Sequence, residues 1–416
     1  MFRKLATFDQ AKQLIEQQLQ PKPLGTQEIP LLDAYNRVLA QDATSTLDIP
    51  PFNRSTVDGY AVKAQDTFGA DENQPAKLKV CGMVSIGEAP KVKVETGEAA
   101  EIVTGAPIPE GADAVVMVED TERGDDDLNV YGSVTANENV MKKGADIKNG
   151  EIVLKAGKVL GSREIGVLAA LGNAKVTVYV VPTVAVLSTG GEVAELGKPL
   201  LPGKIYDINA YSLCMAVRES GGNPVYAGVV PDEKEPLRKA LQEALASADM
   251  VLTSGSVSVG PKDLIPETVD SLGKPGVFLS GIAVKPGKPA TVALIGEKPV
   301  FSFPGHPTSA LLIFLLLARP VIQVMAGKPA RELASIKAVA DRRMFSAKGR
   351  RTFVMVRLVL DEVKGLVAEP VETGASGAIT TLAKADGFVE IVENQQFVDA
   401  GEEVRVWLFK ENVNWV

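Results

Sequence analysis

Four short segments hold the side chains best suited to chemistry, and each closes or follows a strand-like run. They are Ser188-Thr189-Gly190-Gly191-Glu192, Ser254-Gly255-Ser256-Val257-Ser258-Val259-Gly260, Lys285-Pro286-Gly287-Lys288-Pro289 and Pro304-Gly305-His306-Pro307-Thr308-Ser309. Glycine lets a backbone come close to a ligand. Free N–H groups and hydroxyls after a strand can hold an anion. Lys285 and Lys288 flank a turn, so both amines could enter one crevice. In a chain of net charge −8, that is the local concentration of cations an anionic ligand requires. The set suits a phosphate or another tetrahedral oxyanion. Glu192 and Asp263 suit a hard cation such as Mg²⁺ bridging phosphate oxygens. Alone, each loop is a turn; four in one domain point to a shared site.

Two further candidates lie upstream. Asp58-Gly59 is a turn signal, with Asp58 either part of that turn or a carboxylate beside a ligand. Thr104-Gly105 opens a Gly/Pro-rich loop between two strand-like runs in 101–119, either a wide hairpin or a hydroxyl and N–H offered to a ligand. His306 is the only histidine, which excludes multi-histidine metal sites and any Ser-His-Asp triad that does not use it. Cys81 and Cys214 show no disulfide spacing, so a reducing cytoplasm fits. The first 20 residues are amphipathic without a secretory core, and the longest apolar run, 310–318, is short for a membrane span. With 45% hydrophobic and 23% charged residues, the composition is that of a soluble globular protein. The acidic balance argues against a generic nucleic-acid binder.

These candidates need elements to position them. Helical spacing covers 8–19, and a second short helix is expected at 31–39. Residues 76–140 read as short strands, 143–161 as a further β piece, and Ser162 as the cap of a helix to Leu171. From 180 to 328 the pattern is α/β. The run Thr183–Gly190 has the continuous apolar character of a strand buried on both faces. Asn209 can cap a helix to Gly221, and Asp232 to Glu235 form a capping-box pattern opening a helix to about Ser247. Strands follow at 225–230, 250–252, 277–284, 290–295 and 299–303, and an apolar helix runs from Pro304–Ser309 to Gly327. In such a doubly wound sheet, ligands sit beyond the carboxyl ends of the strands. Residues 329–416 return to β character, as a small barrel or sandwich.

The segments PPFNRSTVDGYAV, IVTGAPIPEGADAVV, KKGADI, VAVLSTGGEV, YDINAYSL, LTSGSVSVGPKD, VKPGKP and FPGHPTSA, in this order, resemble the MoeA family of molybdopterin molybdenumtransferases, to which the gephyrin E domain is related. The resemblance implies a multidomain α/β plus β protein. A linker domain would comprise 1–24 and 141–178, a β-rich domain 25–140, a MogA-like molybdopterin-binding α/β domain 179–328, and a C-terminal β-barrel 329–416. It further implies an elongated cytoplasmic homodimer with shared active sites. The reaction would be Mg²⁺-dependent insertion of molybdate into adenylylated molybdopterin with release of AMP, and the adenylyltransferase would be a further partner. A tungstate-using paralogue or a molybdopterin-binding scaffold is the alternative; neither nucleic acid nor membrane is implied. By match to the family's motifs, Asp58, Thr104, Glu192, Asp232 and Lys285 would be catalytic, with Glu192 and Asp263 on the metal. Asp146, Ser188, Thr189, Gly190, Ser254, Gly255, Ser258, Gly260, Lys288, Gly305, Ser309 and Ser376 would bind substrate. Gly191, Ser256 and His306 depart from the family's aspartate, glycine and asparagine, and Gly281 stands where some relatives have lysine.

Overall fold

The computed structural model describes residues 5–255, 264–330, 332–371 and 379–410. The centre of the fold is a six-stranded sheet in the order Asn223–Val230, Thr183–Thr189, Met250–Ser254, Lys298–Phe303, Thr291–Ile295, Pro275–Ser280. The first four strands are parallel; Thr291–Ile295 runs against both its neighbours. Helices cover both faces. Along Thr183–Thr189, Val184 and Val186 enter one core with Met250, Leu252 and Phe301, while Ala185 and Leu187 enter the other with Val251 and Leu241. All four are at most 1% exposed, which explains the unbroken apolar run.

The helix after Lys298–Phe303 runs from Pro307 to Met325, with a π-helical turn at Phe314–Ala318. Pro320 has no N–H for the carbonyl four residues before it, and the wider turn relieves that mismatch. The helix is long and apolar enough to cross a membrane, exceeding the span expected from 310–318, but it is 67% buried and packs on the sheet.

Residues 335–408 include a closed barrel. The strands Arg351–Asp361, Gly365–Pro370, Ser335–Ala340, Glu403–Leu408 and Gly387–Ile391 pair in that order, and the last pairs again with the first. The expected strand 277–284 divides. It ends at Ser280, turns at Gly281 (φ 81°), and Val284–Lys285 then pairs in parallel with Arg351–Thr352 of the barrel.

The amino-terminal half holds two β units. Ala114–Met117, Gly59–Val62, Glu98–Ile102, Ala76–Val84, Asp127–Val130 and Thr121–Arg123 form one sheet in that order. The runs flanking the Thr104 loop therefore do not make a hairpin, because Gly59–Val62 lies between them. Only glycine fits at 59, where a Cβ would stand 1.9 Å from the Val116 carbonyl oxygen. The second unit pairs Thr26–Pro30 with Lys175–Tyr179 and Ala43–Thr44 with Ile152–Leu154. Residues 26–49 thus associate with 147–179 rather than with the rest of 25–140. The expected helix at 31–39 is one 3₁₀ turn, Leu31–Ala34. The helix at Ser162–Ala170 is entered through Gly161, whose N–H is taken by Glu164. The first helix, Phe8–Leu19, packs on the α/β core and the barrel: Phe8 meets Phe353 edge to face, and Arg351 grips Asp9 with two 2.8 Å hydrogen bonds.

Candidate active site

Strand register gathers the candidate loops. Ser188 is level with Ser254, Ser254 with Phe303, and Thr189 with Val230. Thr291 is level with Ser302 and with Ser280, so the segment 281–290 leaves the same edge. Glu192, Asp232, Lys285, Lys288 and Gly305 therefore belong to segments at one carboxyl edge of the sheet, and Ser309, 4% exposed, lies in the first turn of the helix that starts there. The 256–263 part of the glycine loop, with Ser258, Gly260 and Asp263, lies outside the described residues, as does Ser376.

The edge holds an acidic pair. Glu192 folds back over Gly190, where a Cβ would come within 2.8 Å of its carboxylate oxygen. Desolvation and, secondly, the Glu192 charge push the Asp232 carboxyl above its ordinary range. The helix after Asp232, Lys234–Ser247, has Glu233 rather than Asp232 at its cap position, so the capping-box reading of 232–235 is displaced by one residue. Lys285 is exposed and Lys288 partly buried on the next loop. The parallel pairing of Val284–Lys285 with the barrel sets Arg350, at the end of the turn 346–350, level with Ala283, on the side of this strand away from the Lys288 turn.

The hydroxyls behave otherwise than the sequence suggested. Ser188, Thr189 and Ser254 are 2%, 1% and 2% exposed. The Ser188 hydroxyl donates to Asp207 Oδ1 at 2.9 Å, Thr189 Oγ1 reaches the Ser254 carbonyl at 3.5 Å, and Ser254 Oγ reaches the Pro304 carbonyl at 3.4 Å. A hydroxyl has one hydrogen, and here it faces inward. These three residues build the frame of the loops rather than offering donors to an anion. Gly255 (φ 105°) permits close approach: a Cβ there would stand 1.9 Å from the Thr189 carbonyl oxygen.

Two residues unremarked as ligands complete the frame. Asp207, 3% exposed, accepts from Ser188 Oγ, from Ala210 N at 3.0 Å and from Tyr226 OH at 3.2 Å. It therefore does the capping the sequence assigned to Asn209. Asn209 instead donates from Nδ2 to Ser254 Oγ and to the Gly305 carbonyl, both at 2.7 Å. An aspartate three residues before a helical N–H was the available signal.

Asp58 and Thr104 meet in the first sheet. Thr104 donates to Asp58 Oδ1 from its N–H at 2.6 Å and its hydroxyl at 2.9 Å. The two bonds hold the Asp58 carboxyl below its ordinary range, so it stays ionised. Both residues are exposed, and their bonds run within their own unit. Asp146 is exposed on a turn whose N–H bonds the Ile49 carbonyl at 3.0 Å. A cavity of about 380 Å³ lies among Phe8, Lys12, Leu316, Arg351, Phe388 and Trp407, none of them a candidate; the loop chemistry, not cavity size, locates the site.

Family models match almost the whole length: the MoeA N-terminal region (domains I and II) over 6–172, a probable molybdopterin binding domain over 185–324, and the MoeA C-terminal region (domain IV) over 337–409. The chain belongs to the MoeA family. It is 36% identical to a putative molybdopterin biosynthesis protein of Methanocaldococcus jannaschii, over 92% of each chain. It is 34% identical to molybdopterin molybdenumtransferase 2 of Mycobacterium tuberculosis, over 91% of this chain and 94% of that one. The crystal structure of a molybdopterin biosynthesis MoeA protein from Pyrococcus horikoshii superposes with a TM-score of 0.85 at 42% identity, covering 98% of this chain and 100% of that one. In this MoeA chain the glycine at 191 stands in open space, with nothing within 4 Å of a Cβ placed there, and Lys204 Nζ bonds its carbonyl.

Proposed function

We propose that this chain acts in molybdenum cofactor biosynthesis as a molybdopterin molybdenumtransferase, joining molybdate to adenylylated molybdopterin with Mg²⁺-dependent release of AMP. The observation that carries the reading is the placement of a carboxylate pair and a lysine pair along one carboxyl edge of the sheet in a MoeA-family chain. The acidic pair fits the cation. Mg²⁺ is held by one or two carboxylates plus substrate phosphates, and Glu192 and Asp232 are near enough for one charge to act on the other. Bound there, the cation would neutralise the phosphoanhydride as AMP leaves; Asp263 would be a further ligand. Lys285 and Lys288 hold the tetrahedral dianion, and Gly190, Gly255 and Gly305 let the backbone approach the substrate. Asp58, kept ionised by Thr104, supplies a fixed negative acceptor.

The Asp58–Thr104 pair joins the site from a second copy of the chain. Its surroundings support this: Ile86, Met117 and Val118 beside it are 65%, 36% and 48% exposed, an apolar rim suited to burial against another molecule. The reading places the protein in the cytoplasm, where its two cysteines stay free, with the adenylyltransferase that makes its substrate as a partner. The test is complementation. Asp58→Ala and Lys285→Ala should each be inactive, yet co-expressed they should regain roughly a quarter of wild-type insertion, because two-fold symmetry puts both changes in one site of a mixed dimer and neither in the other. Mixed dimers no better than the single mutants would sink the shared site.

A further inference from the structure

All four parallel strands, or the loops that follow them, are tied to Asp207 and Asn209 at the start of one helix, Asn209–Ser220. Asp207 binds the end of Thr183–Thr189 through Ser188 and the edge strand Asn223–Val230 through Tyr226. Asn209 binds the end of Met250–Ser254 through Ser254 Oγ and the loop after Lys298–Phe303 through the Gly305 carbonyl. The orientation of the amide is fixed, because the Gly305 carbonyl can only accept, and both hydrogens on Nδ2 are used. Its Oδ1 is buried without a partner among the described residues. Native folds seldom leave a buried acceptor orphaned, and where they do, the constraint lies elsewhere than in stability. Asp207 is as confined. Beside it, burial and the adjacent carboxylate push the Tyr226 phenol upward, so the tyrosine stays a donor.

We infer that Asp207 and Asn209 are positioning residues for the reaction: they set the spacing of the Thr189–Glu192, Gly255 and Gly305–Ser309 loops without touching substrate. The inference rests on the site assigned above. The bonding partners separate it from ordinary helix capping, since capping alone requires only Asp207 and Ala210 N, whereas four of the five bonds run to other strands and loops.

Four variants of the full chain test it: Asn209→Ala, Ser254→Ala, the double change and Asp207→Asn. Insertion kcat/KM, measured well below each Tm, should fall on the order of tenfold or more in Asn209→Ala, because misplacing catalytic loops by even 1 Å is costly in rate. The double variant should lose less than the product of the two single losses, since both changes remove the same Asn209–Ser254 bond. Unchanged kcat/KM in folded Asn209→Ala, or losses that multiply, would overturn the inference. Amide hydrogen exchange gives a readout free of activity. Asn209→Ala should speed exchange at Gly255 and at Gly305–His306 together, and Asp207→Asn should speed it at Thr189 and Ala210. Unaltered exchange at both loops also overturns it. If the wild-type chain shows no insertion while exchange responds as described, the functional reading fails and the clamp stands.

Discussion

Replacing Gly255 by alanine combines two penalties at one atom. The backbone there has φ 105°, outside the region open to L-residues, and this alone costs about 1–2 kcal/mol. The new Cβ would also sit 1.9 Å from the Thr189 carbonyl oxygen, where real Cβ contacts stay beyond 3.0 Å. Neither neighbour can yield by rotating a side chain, because the obstacle is backbone. Thr189 and Gly255 follow the paired residues Ser188 and Ser254, so relief must push the ends of these parallel strands apart by about 1 Å. A displacement of that size at reacting groups costs on the order of 100-fold in rate. Gly191→Ala is the matched control, two residues from Thr189, in open space and without a positive φ. Kinetics of molybdate insertion and thermal unfolding of both variants provide the assay. Gly255→Ala should lose most of its kcat and unfold at lower temperature, while Gly191→Ala stays within about 0.5 kcal/mol of wild type, as surface changes do. Wild-type kcat and Tm in Gly255→Ala would refute the close approach on which the loop geometry depends.

Lys285→Ala should fold normally and lose insertion; a surface lysine would instead leave turnover intact, so normal turnover retires its assignment. His306→Asn should keep activity, since the ring is exposed and makes no side-chain cap bond at the helix start; a severe loss would point to acid–base or metal work. Asp232 has a folded pKa raised by burial and by Glu192. The folded chain therefore holds a proton the unfolded chain releases between the ordinary carboxylate value and the raised one, and stability falls as pH rises through that window. Glu192→Gln removes the second cause, so the Asp232 carboxyl shift in a ¹³C titration should move to lower pH and the loss should shrink; an unmoved titration contradicts the acidic pair.

Much of the site was legible because it depends on strand ends. A continuous apolar run such as Thr183–Thr189 announces a strand buried on both faces, and the polar residues that follow it must lie at the carboxyl edge. What the sequence hid was pairing at a distance. Asp207 meets a serine 19 residues before it and a tyrosine 19 after it, so nothing local marks it as a hub. The same blindness turned Ser188 and Ser254 into apparent ligands: hydroxyls after a strand look available until the acceptors beneath them are known. The Thr104 loop looked like a hairpin because its flanking runs are close in sequence, whereas the strand between them comes from about 40 residues upstream. The strands Thr26–Pro30 and Ala43–Thr44 likewise join partners more than 100 residues away.

The two-residue strand Val284–Lys285 gives the barrel a share in the timing of the lysine loop. Its register with Arg351–Thr352 is continued by the Arg351 N–H, which bonds the Ala283 carbonyl at 2.9 Å. Val284 itself is fully buried, so opening this seam would expose apolar surface. Local opening of a protein follows cooperative units rather than domain borders. The Lys285 loop therefore opens with the barrel's first strand and not with the sheet that precedes it in sequence. A barrel loosened by mutation far from the site would release the lysines before it released the acidic pair, so in the proposed reaction the grip on the oxyanion would fail before the grip on the cation.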